Sequence, residues 1–145
     1  MPRAEHTVTI HRSAEDVFDF LADGTNNPLW RSGVLEIAPV GDITGLGATY
    51  RQLLSGPAGR KIVGDYRVTT FDRPRTLGFE VTAGPLRPTG EFELTPSPSG
   101  ETGVTFRLAA VPRGIMRLMT PMIARQMHTE THSLEVLKTR LESLT

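Results

Sequence analysis

The sequence predicts an α+β domain in which a curved, seven-stranded antiparallel sheet surrounds a long C-terminal helix, with two short helices between the first and second strands. Three observations lead to this prediction. An alternating apolar segment lies near the N-terminus, short strand patterns separated by glycine and proline occupy residues 34–111, and a helical apolar pattern follows them to the end. A chain of 145 residues fits one domain, which we assign to residues 1–145.

The N-terminal part predicts one strand and the two short helices. Residues 7–11 alternate in polarity and are rich in β-branched side chains, which is typical of a strand. Ser13 is placed to cap a helix, with Asp16 three positions later in a weak version of the capping box. The apolar face of this helix comprises Ala14, Val17, Phe18 and Leu21. An Asp-Gly pair should end the helix, and residues 26–30 predict the second one.

The middle of the chain predicts six strands in meander order. Each break between them holds glycine or proline, and most breaks are too short for a crossover helix, so neighbouring strands must be antiparallel. Residues 95–100 should form a hairpin loop, because strand patterns flank them closely on both sides. The predicted strands are 34–40, 47–55, 60–71, 76–83, 88–95 and 102–111.

The C-terminal segment predicts an amphipathic helix. Its apolar side chains lie within a narrow arc at 100° per residue. Pro121 falls inside this span, so the first turns should form a kinked or separate segment. The residues of the arc are Met116, Met119, Ile123, Met127, Leu134, Leu137 and Leu141.

Composition excludes several classes of site and partner. The sequence contains no cysteine, so disulfides, thiolate metal sites and cysteine nucleophiles are absent. The formal charge is zero, which predicts no overall basic field to hold nucleic acid or an anionic membrane. We find neither a signal-peptide pattern nor a bilayer-spanning apolar stretch, and expect a cytoplasmic protein without stable membrane insertion. His128 and His132 have a metal-binding spacing but should point toward water, so we expect neither metal nor cofactor.

Four short motifs occur in the order found in a known superfamily. They are SAEDVFDFLAD at 13–23, NPLW at 27–30, GLGATY at 45–50 and FDRPRTL at 71–77. With the order of strands and helices, they make the chain similar to the START-like (SRPBCC) superfamily with its helix-grip fold, and to small bacterial polyketide cyclase/dehydrase-like members in particular. The resemblance implies a sheet that grips a helix around a ligand cavity. It implies no single chemistry, because the superfamily includes cyclases, lipid and quinone carriers, hormone binders and toxins.

Strand parity indicates which side chains face this cavity. One face of the sheet is apolar and aromatic and should meet the helix, while the other carries charges that can pair across strands in water. A helix in a strongly curved sheet leaves volume that side chains fill only partly, although the same residues could form a dry core. The candidate ligand-binding residues are Trp30, Tyr50, Gln52, Tyr66, Phe79, Phe92, Phe106, Met119, Ile123, Met127 and Glu130.

Glu130 and Tyr66 are the polar groups that could carry chemistry. Glu130 falls inside the apolar arc, where a carboxylate must pair, become neutral or reach water. In one interpretation Glu130 has no chemical role and sits at the cavity mouth or bonds to an arginine. In the other, it anchors a ligand hydroxyl or transfers protons together with Tyr66. The Tyr66 hydroxyl and the Trp30 N–H need hydrogen-bond partners if they are buried.

These observations leave three functions open. The first is the binding of a hydrophobic small molecule such as a lipid, a quinone or a polyketide-like aromatic compound. The second is a cofactor-independent cyclase or dehydratase that uses Glu130 and Tyr66 for proton transfer. The third is a macromolecular interaction module like the toxin branch, although neutral charge weighs against a ribosomal partner. We expect a monomer or homodimer.

Overall fold

Eight antiparallel strands form one curved sheet in the computed structural model of the protein, which describes residues 2–56, 59–84 and 86–144. The helices are α1 (Ala14–Ala22), α2 (Thr120–His132) and α3 (Leu134–Glu142), and 3₁₀ helices span Gly24–Leu29 and Gly114–Met119. The strands are β1 (Arg3–Ile10), β2 (Val34–Val40), β3 (Thr49–Ser55), β4 (Lys61–Val63), β5 (Tyr66–Asp72), β6 (Thr76–Val81), β7 (Thr89–Pro96) and β8 (Thr102–Ala109).

The strands follow the predicted meander. Their order across the sheet is β1-β8-β7-β6-β5-β3-β2, with the short β4 paired to β3, and every pair is antiparallel. The predicted hairpin connects β7 to β8, although Thr95 and Pro96 of the predicted loop belong to β7. Because β1 returns beside β8, the N-terminal strand lies next to the strand that precedes the C-terminal helices.

Local signals place the first helix correctly. The Ser13 hydroxyl accepts a hydrogen bond from the backbone N–H of Asp16 at 3.2 Å, which is the predicted N-cap. The four predicted apolar residues of α1 are its buried residues. The second predicted helix is the 3₁₀ helix Gly24–Leu29.

The strand predicted over 60–71 is divided into β4 and β5. At the break, the Gly64 N–H donates to the Gln52 carbonyl at 2.8 Å, and the Asp65 carboxylate accepts from the Gln52 N–H at 3.0 Å. A Cβ at Gly64 would lie 2.6 Å from Leu54 Cδ1, so a larger residue here would have to displace the Leu54 side chain of β3. These contacts join residues at least ten positions apart, and local periodicity therefore did not show the break.

The predicted long C-terminal helix consists of consecutive segments. A 3₁₀ helix precedes α2, which has Pro121 in its first turn, as expected for a separate initial segment. A further interruption, not predicted, occurs at Ser133, where the backbone keeps helical angles and α3 follows directly. Over the described residues, no helix is long and apolar enough to cross a membrane.

The two faces of the sheet differ as strand parity predicts. On the outer face, Arg107 forms ion pairs with Glu5 at 2.8 Å and with Glu93 at 2.5 Å, and Arg67 pairs with Glu80. The inner face packs on the helices to form the core. Its buried residues include Tyr66, Val68, Leu77, Phe79, Phe92, Leu94, Val104, Phe106 and Leu108.

Polar contacts attach α3 to the end of β1. The Glu142 carboxylate accepts hydrogen bonds from the backbone N–H of His11 at 2.9 Å and from its ring at 2.7 Å. Lys138 donates to the same carboxylate at 3.1 Å and to the Thr9 carbonyl. These donors favour the charged carboxylate, with the His11 backbone bond contributing most, and lower the pKa of Glu142 from 4.5 to about 2.

Acid should therefore weaken the attachment of α3. A folded-state pKa below the unfolded value contributes stability that is present above pH 4.5 and lost as the pH falls toward 2. We expect Glu142→Gln to flatten the decline of unfolding free energy across this pH window, measured by urea denaturation. Glu36→Gln on the exposed side of β2 is the control, and an equal flattening in both variants would contradict the assignment.

Candidate functional site

A cavity of about 220 Å³ lies between the inner face of the sheet and the first half of α2. It reaches the surface between β4 and α2, where lining side chains of both elements are partly exposed, among them Val63 and Met122. An engineered cavity of about 150 Å³ is known to bind benzene. The present cavity therefore has room for a guest larger than a single ring.

The walls of the cavity are almost entirely apolar. The sheet contributes aliphatic side chains, one aromatic ring, that of Phe79, and the polar residues Gln52 and Ser55 of β3. The helical side contributes every methionine of the sequence except Met1. Unbranched methionine side chains change shape easily, so this wall can adapt to guests of different outline. The methionines that line the cavity are Met116, Met119, Met122 and Met127.

A glycine fixes the position of the aromatic wall. Phe79 on β6 lies directly opposite Gly90 on β7. A Cβ at Gly90 would lie 2.2 Å from Cζ of the Phe79 ring, so the ring occupies the space that any side chain there would need. The ring is thereby held across β7, against the inner end of the cavity.

An ion pair forms the polar end of the cavity. Arg31 Nε donates to Glu130 Oε2 at 2.8 Å, and the two side chains are only 9% and 13% exposed. Arg31 also lies over the Trp30 ring, 5.9 Å from its centroid. Within the described chain, the two Nη groups of Arg31 donate to no acceptor. Glu130 Oε1 likewise accepts no hydrogen bond there. Both residues line the large cavity, so a guest bound there would lie next to this ion pair.

A second, small cavity of about 20 Å³ lies behind the first. Arg31 and Phe79 line both cavities, which places the ion pair where the two adjoin. Tyr66 lines only the small one, in a buried network: Asn27 Nδ2 donates to the Tyr66 hydroxyl at 3.0 Å and to Gln52 Oε1 at 3.2 Å. Burial raises the pKa of Tyr66 above its usual value, so the hydroxyl keeps its proton at neutral pH.

The predicted binding residues separate into three groups. Tyr66 and Phe92 line the small cavity, whereas Trp30, Tyr50 and Phe106 are buried in the core and line neither cavity. The Phe92 and Phe106 rings stack with centroids 4.3 Å apart, and those of Tyr50 and Tyr66 with centroids 5.1 Å apart. The residues that line the large cavity are Gln52, Phe79, Met119, Ile123, Met127 and Glu130.

The Trp30 indole does not have the partner expected of a buried donor. The side chain is buried, and its Nε1 finds no hydrogen-bond acceptor in the described part of the chain. The ring instead packs edge-to-face with the rings of Phe92 and Phe106, at centroid distances of 5.9 and 6.0 Å. Packing rather than hydrogen bonding holds this ring in place.

Sequence reasoning missed Arg31, the residue that completes the polar end. It anticipated that Glu130 could bond to an arginine, but did not identify which one. Arg31 directly follows Trp30 in the NPLW motif, and that adjacency to a predicted binding residue was the available signal. Met116 and Met122, also on the cavity wall, were not among the predicted binding residues either.

Comparison with solved structures agrees with this architecture. A START superfamily protein from Mycobacterium smegmatis is 17% identical, with 99% of each chain covered and a TM-score of 0.81. A protein from Thermus thermophilus is 18% identical, with coverage of 99% of this chain and 100% of the other and a TM-score of 0.83. The Zhui aromatase/cyclase from a Streptomyces species is 19% identical, with coverage of 97% and 91% and a TM-score of 0.72. At these identities the likeness shows the fold alone.

The family follows from the sequence itself. No curated protein matches the chain significantly. Residues 1–142 match the family described as polyketide cyclase/dehydrase and lipid transport, which agrees with the resemblance drawn from the four motifs. Because the match extends over nearly the entire sequence, the chain belongs to this polyketide cyclase/dehydrase and lipid transport family, within the START-like superfamily.

Proposed function

We propose that the protein binds a hydrophobic small molecule in the large cavity, with an oxygen atom of the guest at the Arg31–Glu130 pair. The observation that carries this proposal is the cavity itself, about 220 Å³ of apolar space with one buried ion pair at its inner end. Ligand pockets are commonly built in this way, from hydrophobic walls and a few polar groups that orient the guest.

The ion pair indicates the chemical class of the guest. An anionic group would leave excess negative charge beside Glu130, whereas a neutral carbonyl or hydroxyl oxygen can accept from the Arg31 Nη groups. A hydroxyl can also donate to Glu130 Oε1. We therefore favour a neutral lipid, quinone or polyketide-like aromatic compound that carries carbonyl or hydroxyl groups.

A pair of ligands differing by one hydroxyl tests this proposal. 2-Naphthol should displace the fluorescent probe N-phenyl-1-naphthylamine about tenfold more effectively than naphthalene does, a difference of about 1.4 kcal/mol. The double variant Arg31→Met/Glu130→Leu, which leaves no polar group at either position, should remove this preference and leave naphthalene binding unchanged. A preference that survives in the double variant would contradict a role for the ion pair in orienting the guest.

Native mass spectrometry of freshly purified protein tests the binding function independently of any chosen probe. We expect an additional mass from a hydrophobic molecule retained during purification. A consistently empty protein that also shows no thermal shift with apolar compounds would count against the binding function.

The cyclase or dehydratase function remains the alternative. The similar Zhui protein is named an aromatase/cyclase, and Glu130 provides a carboxylate in the cavity. Binding is favoured because Glu130 is already paired with Arg31, while Tyr66 lies in the small cavity and cannot act as a base at neutral pH. Turnover of an aromatic polyketone that Glu130→Gln abolishes, at a temperature where the variant stays folded, would favour the enzyme instead.

A further inference from the structure

Three segments of the chain surround the mouth of the large cavity. They are residues 54–56 with 59–64, 81–84 with 86–90, and 110–127, here called the rim segments, and each contributes side chains to the cavity wall. The first rim segment contains β4, and the second joins the end of β6 to the start of β7. The third contains the 3₁₀ helix Gly114–Met119 and the start of α2. A guest that enters through this mouth would pass between them.

The rim segments carry positive charge without any negative charge. They hold six of the 16 basic residues and none of the 16 acidic residues, so they contribute +6 and the remainder of the chain −6. Over the described residues, none of the six forms an ion pair with a carboxylate. The zero net charge, from which no basic field was expected, conceals this separation. The six residues are Arg60, Lys61, Arg87, Arg113, Arg117 and Arg125.

Large apolar side chains lie exposed among these cations. Leu118 is 82% and Ile115 79% exposed, and both belong to the 3₁₀ helix Gly114–Met119. Met122 follows them at the start of α2, and Ile62 and Val63 on β4 are partly exposed on the opposite side of the mouth. Exposed apolar groups of this size beside unpaired cations are typical of an interaction surface.

We propose that the rim segments dock on a lipid bilayer that contains anionic lipids. Leu118 and Ile115 would enter the boundary between headgroups and acyl chains, and the six cations would lie at the level of the lipid phosphates. The proposal rests on the proposed function, since it identifies the surface from which a hydrophobic guest reaches the cavity. Docking of this kind is peripheral and requires no membrane-spanning helix.

A bilayer fits this surface better than an acidic protein does. An acidic protein partner would present its negative charges at fixed positions matched to those of a single positive patch. The rim segments instead present charges of one sign, spread over three separate stretches of chain, which suits a diffuse anionic surface. The cavity also opens at this surface, so an apolar guest would pass from acyl chains to the cavity without crossing water.

Vesicle flotation tests the proposal. The protein should float with vesicles of phosphatidylglycerol and phosphatidylcholine and remain unbound with phosphatidylcholine alone. Raising the salt from about 0.1 M to about 1 M, which shortens the Debye length from roughly 10 Å to roughly 3 Å, should weaken binding strongly.

Two variants and their controls locate the contact. Each basic residue near an anionic surface contributes about fivefold in affinity, so Arg113→Glu/Arg117→Glu should weaken vesicle binding by at least about 25-fold. Leu118→Glu should weaken it at least about tenfold. Arg3→Glu/Arg75→Glu and Ile43→Glu make the same changes at exposed positions outside the rim segments and should have little effect.

The readouts distinguish failure of this proposal from failure of the proposed function. Leu118 and both substituted arginines lie outside the cavity wall, so these variants should bind N-phenyl-1-naphthylamine normally. Vesicle binding that is absent, or equal in rim and control variants, would overturn the docking proposal even if probe binding is intact. Absence of vesicle binding together with capture of an acidic protein would assign the surface to a protein partner instead.

Discussion

Replacing Ile123 with tryptophan should abolish binding of N-phenyl-1-naphthylamine while the protein remains folded. Ile123 is a buried residue of α2 whose side chain lines the large cavity, and an indole at this position would occupy the space of the guest. We expect the dissociation constant to rise at least about 100-fold, equivalent to about 2.7 kcal/mol of binding free energy. Fluorescence titration of the probe measures the loss.

A matched substitution separates this effect from a general disturbance of the helices. Val136→Trp introduces the same side chain on the exposed face of α3, away from the cavity, and should leave probe affinity unchanged. Ile123→Trp should also keep its thermal stability, because added apolar volume fills existing space. A folded Ile123→Trp protein with normal probe affinity would show that the probe binds elsewhere.

Replacing Glu130 with glutamine should destabilise the protein by about 3 kcal/mol, the largest stability effect that we expect from a polar substitution. The change leaves the Arg31 guanidinium buried with no carboxylate beside it. Replacing both partners removes the stranded charge, so Arg31→Met/Glu130→Gln should recover the loss to within about 1 kcal/mol of the parent protein. Urea denaturation gives the three free energies of unfolding.

An exposed ion pair is the control for this cycle. Arg73 bonds the Asp19 carboxylate through two nitrogens, at 2.7 and 2.9 Å, and these hydrogen bonds lower the pKa of Asp19. Water screens this pair, so Asp19→Asn should cost much less than Glu130→Gln. If Glu130→Gln were equally mild, or the double variant less stable than the single one, Arg31 would not depend on Glu130.

The parts of the fold that depend on neighbours in the chain could be predicted from the sequence. Ser13 caps α1 through the N–H three residues later, and strand parity separates the inward Phe79 from the outward Glu80. The division of the predicted 60–71 strand depends instead on contacts of Gly64 with Gln52 and Leu54. Such contacts exist only once the strands are paired, so no local pattern reveals them.

The candidate site shows the same limit. Parity gives the face of the sheet on which a side chain lies, but not how far along that face the cavity extends. Phe79 and Phe106 therefore appeared equivalent in sequence, although Phe79 lines the cavity and Phe106 is buried in the core. Arg31 follows a 3₁₀ helix, and its approach to Glu130, 99 positions later, depends on how that helix packs.

The positive charge around the cavity mouth could not be predicted from the sequence, for a related reason. The sum of charges over the sequence is zero, and only the cavity identifies which segments meet around one opening. The three rim segments line one cavity, and the six cations lie on these segments together with the exposed Leu118 and Ile115. The two proposals thus concern one route, a hydrophobic guest passing from a bilayer into the cavity.

A crystal structure of the protein soaked with 2-naphthol tests most directly whether a guest occupies the space between sheet and helix. We expect density for the two rings between Phe79 and Met127, with the naphthol oxygen within hydrogen-bond distance of Arg31. Methionines of the wall should adjust around the rings. Side chains that close the space completely, with naphthol absent or bound only outside it, would contradict the account.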